Sequence, residues 1–307
     1  MADTPEFRTA MEFAYGVPRE MAPGVTRLVA NNPGPFTYKG TNTYIVGAKQ
    51  LAVIDPGPAD AAHLAAILAT AAGRPIAHVV ITHTHRDHTD GMPALLAATG
   101  ARTVGHGRKV KTATAAARLG GSGERFDQDF APDIVLRDGD RLAGDGFTLD
   151  AIFTPGHAPD HVCLALGDAD GKPTGIVFSG DHVMAWNTSV VAPPEGHMGR
   201  FMASLEKMMA RTDTAYFPGH GGQTREPQRF VKALLMHRRM REAAIMDCIR
   251  AGRGTARDIV PEIYKGLDER LIPAAGLSVL AHVEHLVERG LVRLSGPLEL
   301  GSGLSVV

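Results

Sequence analysis

From Val25 to about Gly222, short β-branched or apolar runs alternate with turn residues, and only a few stretches show helical spacing. The runs bounded by Gly, Pro, Asn or Asp predict strands at Val25–Ala30, Thr43–Val46, Leu51–Ile54, His78–Thr82, Thr103–Gly105, Phe147–Phe153, Val162–Leu166, Gly175–Phe178 and Ala215–Phe217. Helices are expected over Ala59–Ala72, Pro93–Thr99 and Arg200–Arg211. Strands outnumber helices and precede the first of them, which favours a layered α/β sandwich over a doubly wound parallel sheet.

The pattern changes near Arg225. Pro227 suits the first turn of a helix, and Phe230, Leu234, Met240, Ile245 and Ile249 give it an imperfect apolar face to about Arg250. Thr255 can cap a short helix through Tyr264, and a further helix is expected from about Ala274 to Arg289, with Leu277, Leu280, Val283 and Leu286–Val287 on one face. Leu291–Leu294 then reads as a strand entering a turn. Two helices and a β-wing in about 80 residues resemble a winged-helix appendage. The chain therefore divides, on this reading, into a unit of residues 1–224 and a tail of residues 225–307.

Composition narrows the classes. Hydrophobic residues at 44% and charged residues at 21% supply a core and exclude a disordered chain. A formal charge of −1 argues against a protein that works by coating phosphate backbones, although it conceals −4 over residues 1–224 and +3 over residues 225–307. Cys163 and Cys248 form no paired motif, so neither a disulfide framework nor a thiolate zinc site is suggested. Met1–Gly24 carries Asp3, Glu6, Glu12 and Glu20 and has no basic start followed by an apolar run. No apolar stretch approaches the ~18 residues of a membrane span, and the expectation is a cytoplasmic protein without a membrane partner.

The chemistry concentrates in Thr82-His83-Thr84-His85-Arg86-Asp87-His88, at the end of an apolar run. In an extended strand end His83 and His85 point the same way, because side chains repeat with period two, and can chelate one ion. Asp87 and His88 follow where the chain turns and can reach a second. Further donors stand at later strand ends beside glycine: His157 in Thr-Pro-Gly-His, Asp181 in Ser-Gly-Asp and His220 in Pro-Gly-His-Gly. Five imidazoles and two carboxylates exceed what one zinc ion needs and suit two ions sharing a bridge. Asp55, in an Asp-Pro-Gly turn after Leu51–Ile54, is the candidate acceptor for a ligand's outer ring nitrogen. No serine sits in a Gly-x-Ser-x-Gly elbow to offer a competing nucleophile.

The set His83, His85, Asp87, His88, His157, Asp181 and His220 resembles the metallo-β-lactamase-fold hydrolase superfamily, with all seven motif positions filled. Asn32-Pro33-Gly34-Pro35-Phe36, Gly40-Thr41-Asn42-Thr43-Tyr44, Asp160-His161 and the winged-helix tail are similar to its β-lactamase-like protein 2 branch, and the resemblance covers nearly the whole chain. It implies a four-layer αβ/βα sandwich and two zinc ions per chain, with Mn2+ or Fe2+ as alternatives. It assigns His83, His85 and His157 to the first ion, Asp87, His88 and His220 to the second, and Asp181 to the bridge. A bridging hydroxide is then the expected nucleophile, with Asp87 and Asp181 as the catalytic carboxylates. Asn42, Tyr44, Trp186 and Asn187 are candidates for the substrate cleft, each equally readable as a packed loop residue.

Substrate choice is less determined by the residues. The branch implies cleavage of single-stranded RNA, but aromatic content is 6% and basic and aromatic residues are not interleaved. Relatives with the same tail imply thioester hydrolysis, and the site suits an anionic or carbonyl-containing small molecule. A reading from another class makes the chain a nucleic-acid-binding regulator with a vestigial metal site. Against it, the 274–289 helix offers His282, Glu284, His285, Glu288 and Arg289, a poor set for a major groove. The tail is better suited to forming one wall of the cleft, or a homodimer contact.

Overall fold

The computed structural model describes residues 5–107 and 126–307. Among these, the first half of the chain forms a seven-stranded sheet in sequence order. Its strands are β1 (Arg19–Ala22), β2 (Val25–Val29), β3 (Asn42–Val46), β4 (Leu51–Ile54), β5 (Ile76–Val80), β6 (Arg102–Gly105) and β7 (Ile134–Val135). Pairing is antiparallel from β1 to β4 and parallel from β4 to β7. A second sheet runs β13-β12-β11-β10-β9-β8, from β8 (Arg141–Ala143), β9 (Thr148–Phe153), β10 (Val162–Gly167), β11 (Pro173–Gly180), β12 (Ala215–Pro218) and β13 (Thr224–Arg225).

Alternation along the strands explains the layers. In β4, Ala52 and Ile54 face the second sheet, while Leu51 and Val53 face outwards to α1 (Ala61–Ala71) and α3 (Met92–Thr99), which flank the short α2 (Arg86–Thr89). In β10, Val162, Leu164 and Leu166 join the same inter-sheet core, and Cys163 points to the other outer layer. Strands buried on both faces need helices on both sides. The second sheet receives α4 (Met198–Met209), whose Phe201, Leu205 and Met208 recur at helical spacing and are fully buried. The four-layer αβ/βα sandwich expected from the sequence is the observed architecture.

The tail begins with α5 (Pro227–Arg250), whose packing partners change along its length. Val231, Leu234 and Leu235 belong to the outer core of the sandwich, whereas Ile245, Met246 and Ile249 belong to a separate core. That core is completed by α6 (Ala256–Ile263), α7 (Ile272–Glu288) and a wing of β14 (Val292–Ser295) and β15 (Gly303–Val306). Thr255 caps α6 as its sequence suggests, its hydroxyl accepting the Asp258 N–H. Met240, assigned to the apolar face of the long helix, is exposed; Val231, Leu235 and Met246 fill that face instead. None of the described helices is long and apolar enough to cross a membrane.

Candidate metal centre

The seven proposed donors sit just after strand ends or on the helical turn that follows β5, and these segments of both sheets meet at one edge of the sandwich. His83 and His85 follow β5, and the chain then turns into α2, so that Asp87 and His88 lie on a single helical turn where the sequence suggested a loop. His157 follows β9, Asp181 follows β11 and His220 follows β12.

The donors form two pockets joined by one carboxylate. His83 Nε2 lies 2.8 Å and His157 Nε2 3.0 Å from His85 Nδ1, so three imidazoles converge. On the other side, Asp87 Oδ2 lies 3.1 Å from His220 Nε2 and 3.4 Å from His88 Nε2. Asp181 stands between them, with Oδ2 at 3.3 Å from His220 Nε2 and 3.7 Å from His157 Nε2, and Oδ1 at 3.7 Å from His88 Nε2. The groups His83-His85-His157, His83-His88-Asp181 and Asp87-His88-His220 each present donor atoms close enough for one ion.

The outer ring nitrogens are treated as those of metal ligands would be. His88 Nδ1 donates to Asp55 Oδ2 at 2.9 Å, His157 Nδ1 to the Val190 carbonyl at 2.6 Å and His220 Nδ1 to the Gly40 carbonyl at 3.2 Å. The Thr82 hydroxyl donates to Asp55 Oδ2 and therefore accepts from His83 Nδ1. In four of five histidines the outer nitrogen is thus held by an acceptor and the inner nitrogen is turned to the centre, the orientation imidazole ligands require. The inner Nε2 atoms of His88 and His220, and Asp181 Oδ1, are buried without a hydrogen-bond partner among the described residues. A donor set of imidazole and carboxylate, closed to thiolate, fits zinc, iron or manganese.

Charge separates the pockets. Burial, reinforced by neighbouring imidazoles, pushes His83 and His85 well below the usual histidine range, and burial lowers His157. Burial works the same way on His220 and His88 but loses: Asp181 and Asp87 hold His220 up at about 10, and Asp87, Asp55 and Asp181 hold His88 well above its ordinary value. Burial opposes ionisation of Asp181 and Asp87, yet His220 and His88 keep both carboxyls below the ordinary carboxylate range. The carboxylate half therefore gathers positive charge, which protons or a divalent cation can supply.

Local backbone explains the tightness. A Cβ on Gly219 would stand 2.4 Å from Asp181 Oδ1 and 2.7 Å from His88 Cε1, so only glycine lets β12 close on the centre. Asp55 carries three duties from a left-handed backbone at φ +50°: it accepts from His88, the Thr82 hydroxyl and the Thr82 N–H. His161 accepts the Asp181 N–H at 3.1 Å through Nε2, which places it behind the cluster and outside the donor set.

Two cleft candidates are corrected. Asn42 and Tyr44 are buried in β3, the Asn42 amide donating to the Pro218 and Gly221 carbonyls and the Tyr44 hydroxyl to Pro218. They brace the turn that carries His220. Trp186 and Asn187 do line a cavity of about 270 Å³ whose floor includes His157 and Asp181. Pro35 and Phe36 form one side, Met184 and Trp186 a second, and the tail supplies a third through Tyr264, Leu267, Leu271 and Ala274. Phe7 of the N-terminal segment also reaches it. Pattern reading passed over Ser189 and Arg238. The Ser189 hydroxyl donates to the Asp181 and His182 carbonyls, and Arg238 on α5 donates to the Ser189 carbonyl, so the tail holds the segment that also supplies Val190 to His157. Nothing local to either residue signals this, because the partners are 49 positions apart.

Comparison with known proteins follows the same division. The sequence model of the metallo-beta-lactamase superfamily matches residues 37–220, and that of the beta-lactamase associated winged helix domain matches residues 255–297. A beta-lactamase-like protein 2 homolog of Drosophila melanogaster is 30% identical over 297 residues, which span 90% of this chain and 94% of that protein. An atrochrysone carboxyl ACP thioesterase of Claviceps purpurea is 30% identical over 260 residues, or 81% of this chain and 75% of the relative. Two solved structures share the fold: a metallo-beta-lactamase family protein from Thermus thermophilus, at TM-score 0.74 and 21% identity over 94% of this chain and all of that one (100%), and a beta-lactamase domain protein from Burkholderia ambifaria, at 0.75 and 23% over 97% and 95%.

Proposed function

The chain belongs to the metallo-β-lactamase superfamily, with a β-lactamase-associated winged-helix domain, and from that premise we propose that it is a dinuclear metal-dependent hydrolase of acyl thioesters. The observation that carries the substrate class is the cavity: its walls are mostly apolar and aromatic, and it opens directly on His157 and Asp181. A thioester's acyl chain needs such a wall. Single-stranded RNA needs an extended groove that tracks several phosphates, and this lining offers two arginines in one pocket. Relatives named as acyl-carrier-protein thioesterases, of which the Claviceps protein is one, support the same reading.

His83, His85 and His157 would hold one ion, and Asp87, His88 and His220 the other, with Asp181 between them. Zinc is the proposed metal, with Mn2+ or Fe2+ as alternatives. Bound divalent ions would supply Lewis-acid polarisation of the scissile carbonyl and would acidify a water to a pKa of about 7. The residues do the rest. Asp87 keeps 25% of its side chain exposed, unlike the other donors, and Thr41 donates to its Oδ2 at 3.3 Å. It is placed to orient an attacking water, while the apolar walls limit competing solvent. Cys163 takes no part: burial pushes its thiol up to about 12.

Metal analysis should find about two equivalents per chain, and Asp181→Ala should lose one of them together with activity. The same metal-loaded protein should cleave acyl-CoA or S-lactoylglutathione and leave single-stranded RNA and a bis-phosphodiester probe intact. RNA cleavage without thioester cleavage would replace this reading with the phosphodiesterase one.

A further inference from the structure

We propose that Arg238 is an anion receptor inside the cavity, so that the substrate carries a carboxylate or phosphate near its scissile acyl group. The proposal rests on the thioester reading for the reaction it serves, though not for the binding itself.

Arg238 lies on α5 with 4% of its surface exposed, and it lines the same cavity as His157 and Asp181. Its one described hydrogen bond is from Nη2 to the Ser189 carbonyl, and its guanidinium carbon sits 5.3 Å from the centre of the Phe201 ring. No carboxylate lies against it among the described side chains. Glu242, one turn along the helix, is already taken by His285 at 2.6 Å and Arg289 at 3.1 Å. Arg241 lines the cavity too, 4.4 Å over the Tyr264 ring, and donates to the Ile263 carbonyl. Asp181 is the one acidic residue in the lining, and it faces His157, His88 and His220. The wall therefore holds two guanidinium groups and no acid to answer them.

A buried charge without a partner is costly, so a merely structural role has to explain why it is charged. Tying α5 to Ser189 uses one N–H of five and could be done by a neutral donor. The guanidinium fork is suited to two oxygens of a carboxylate or phosphate, and at a guanidinium as buried as this one such a contact is strong. The anion has two sources, a carboxylate on the acyl group or a phosphate on the arm that bears the thiol.

Three thioesters separate these: glutaryl-N-acetylcysteamine, its neutral monomethyl ester, and a neutral acyl group on phosphopantetheine. The metal-loaded protein should prefer one of the two anionic substrates over the neutral one by about tenfold or more in kcat/KM. In Arg238→Met that ratio should fall to about one, and Arg238→Lys should keep part of it. A ratio near one in the wild type, or an unchanged ratio in Arg238→Met, overturns the proposal. If no thioester is cleaved, the reaction class fails alone, and calorimetry on the metal-loaded protein decides the receptor. Glutarate or inorganic phosphate should then bind the wild type about tenfold more tightly than Arg238→Met. Equal binding, or none by either anion, overturns it.

Discussion

The floor of the cavity and its far wall are built on opposite principles. The floor is made of strand ends and the turns after them, where His88, His220 and His157 are each fixed twice: by a short connection, and by the hydrogen bond that the outer ring nitrogen donates to Asp55, Gly40 or Val190. The wall is made of helices and loops of the tail, where Tyr264, Leu267 and Leu271 offer surface without fixed polar geometry. Precision is concentrated at the proposed metal centre, and latitude at the wall proposed to meet the substrate. One fold can then keep a reaction class while exchanging substrates.

The contrast is sharpened first at the floor. Asp55→Asn replaces one of the two oxygens that serve His88 Nδ1 and, through the Thr82 hydroxyl, His83 Nδ1, without touching a proposed ligand, and metal affinity should drop by about 10–100-fold. Competition titration against a chromophoric chelator measures it, and loss of less than about threefold would mean the floor is less strictly fixed than its geometry implies.

A second test asks whether wall and floor share one stability. His282, fully buried in α7, is pushed down to about 4 by burial, and its nearest acid oxygen, on Glu242, is 3.8 Å away. Its folded value is below the unfolded value of 6.5, so the unfolded chain binds more protons between them. Stability from this group is complete above about pH 6.5 and is lost as pH falls towards about 4. The loss is on the order of 1–3 kcal/mol. Melting curves from about pH 7.5 to about 4.5 should fall less steeply for His282→Leu than for the wild type. Parallel curves would show that another group sets the acid limit.

The smallest effect is expected at the wall. Leu271→Ala should raise KM for a long-chain acyl thioester by about tenfold and change kcat by less than about twofold, because it removes apolar contact and no reacting group. Steady-state kinetics with long and short acyl chains would show it; an equal loss in kcat would place the wall in the chemistry after all.

Most of the floor was legible because its information is local. His-x-His-x-Asp-His carries its own turn, and each later donor has a glycine beside it that marks a tight approach, as at Gly219. The two inner layers were legible for the same reason, since alternation in β4 and β10 is visible over a few residues. Short edge elements were not. β1, β7, β8 and β15 bury too few side chains to print a pattern, as Arg141-Leu142-Ala143 shows with its single buried Leu142. The wall was legible only as helices. That Arg238 meets Ser189, or that Asn42 and Tyr44 brace the loop of His220 from about 175 positions away, is decided by packing between distant segments.

The 24 residues of α5 connect these regions as one uninterrupted rod, anchored in the sandwich at Val231 and Leu234 and in the tail at Ile245 and Ile249. A helix advances about 1.5 Å and turns about 100° per residue. Inserting one residue near Met240 would therefore swing Tyr264 and Leu271 around the rod while leaving every ligand in place. The substrate chamber is in this sense set by the phase of a single helix, a variable that insertions and deletions can change in steps without any substitution in the chamber itself.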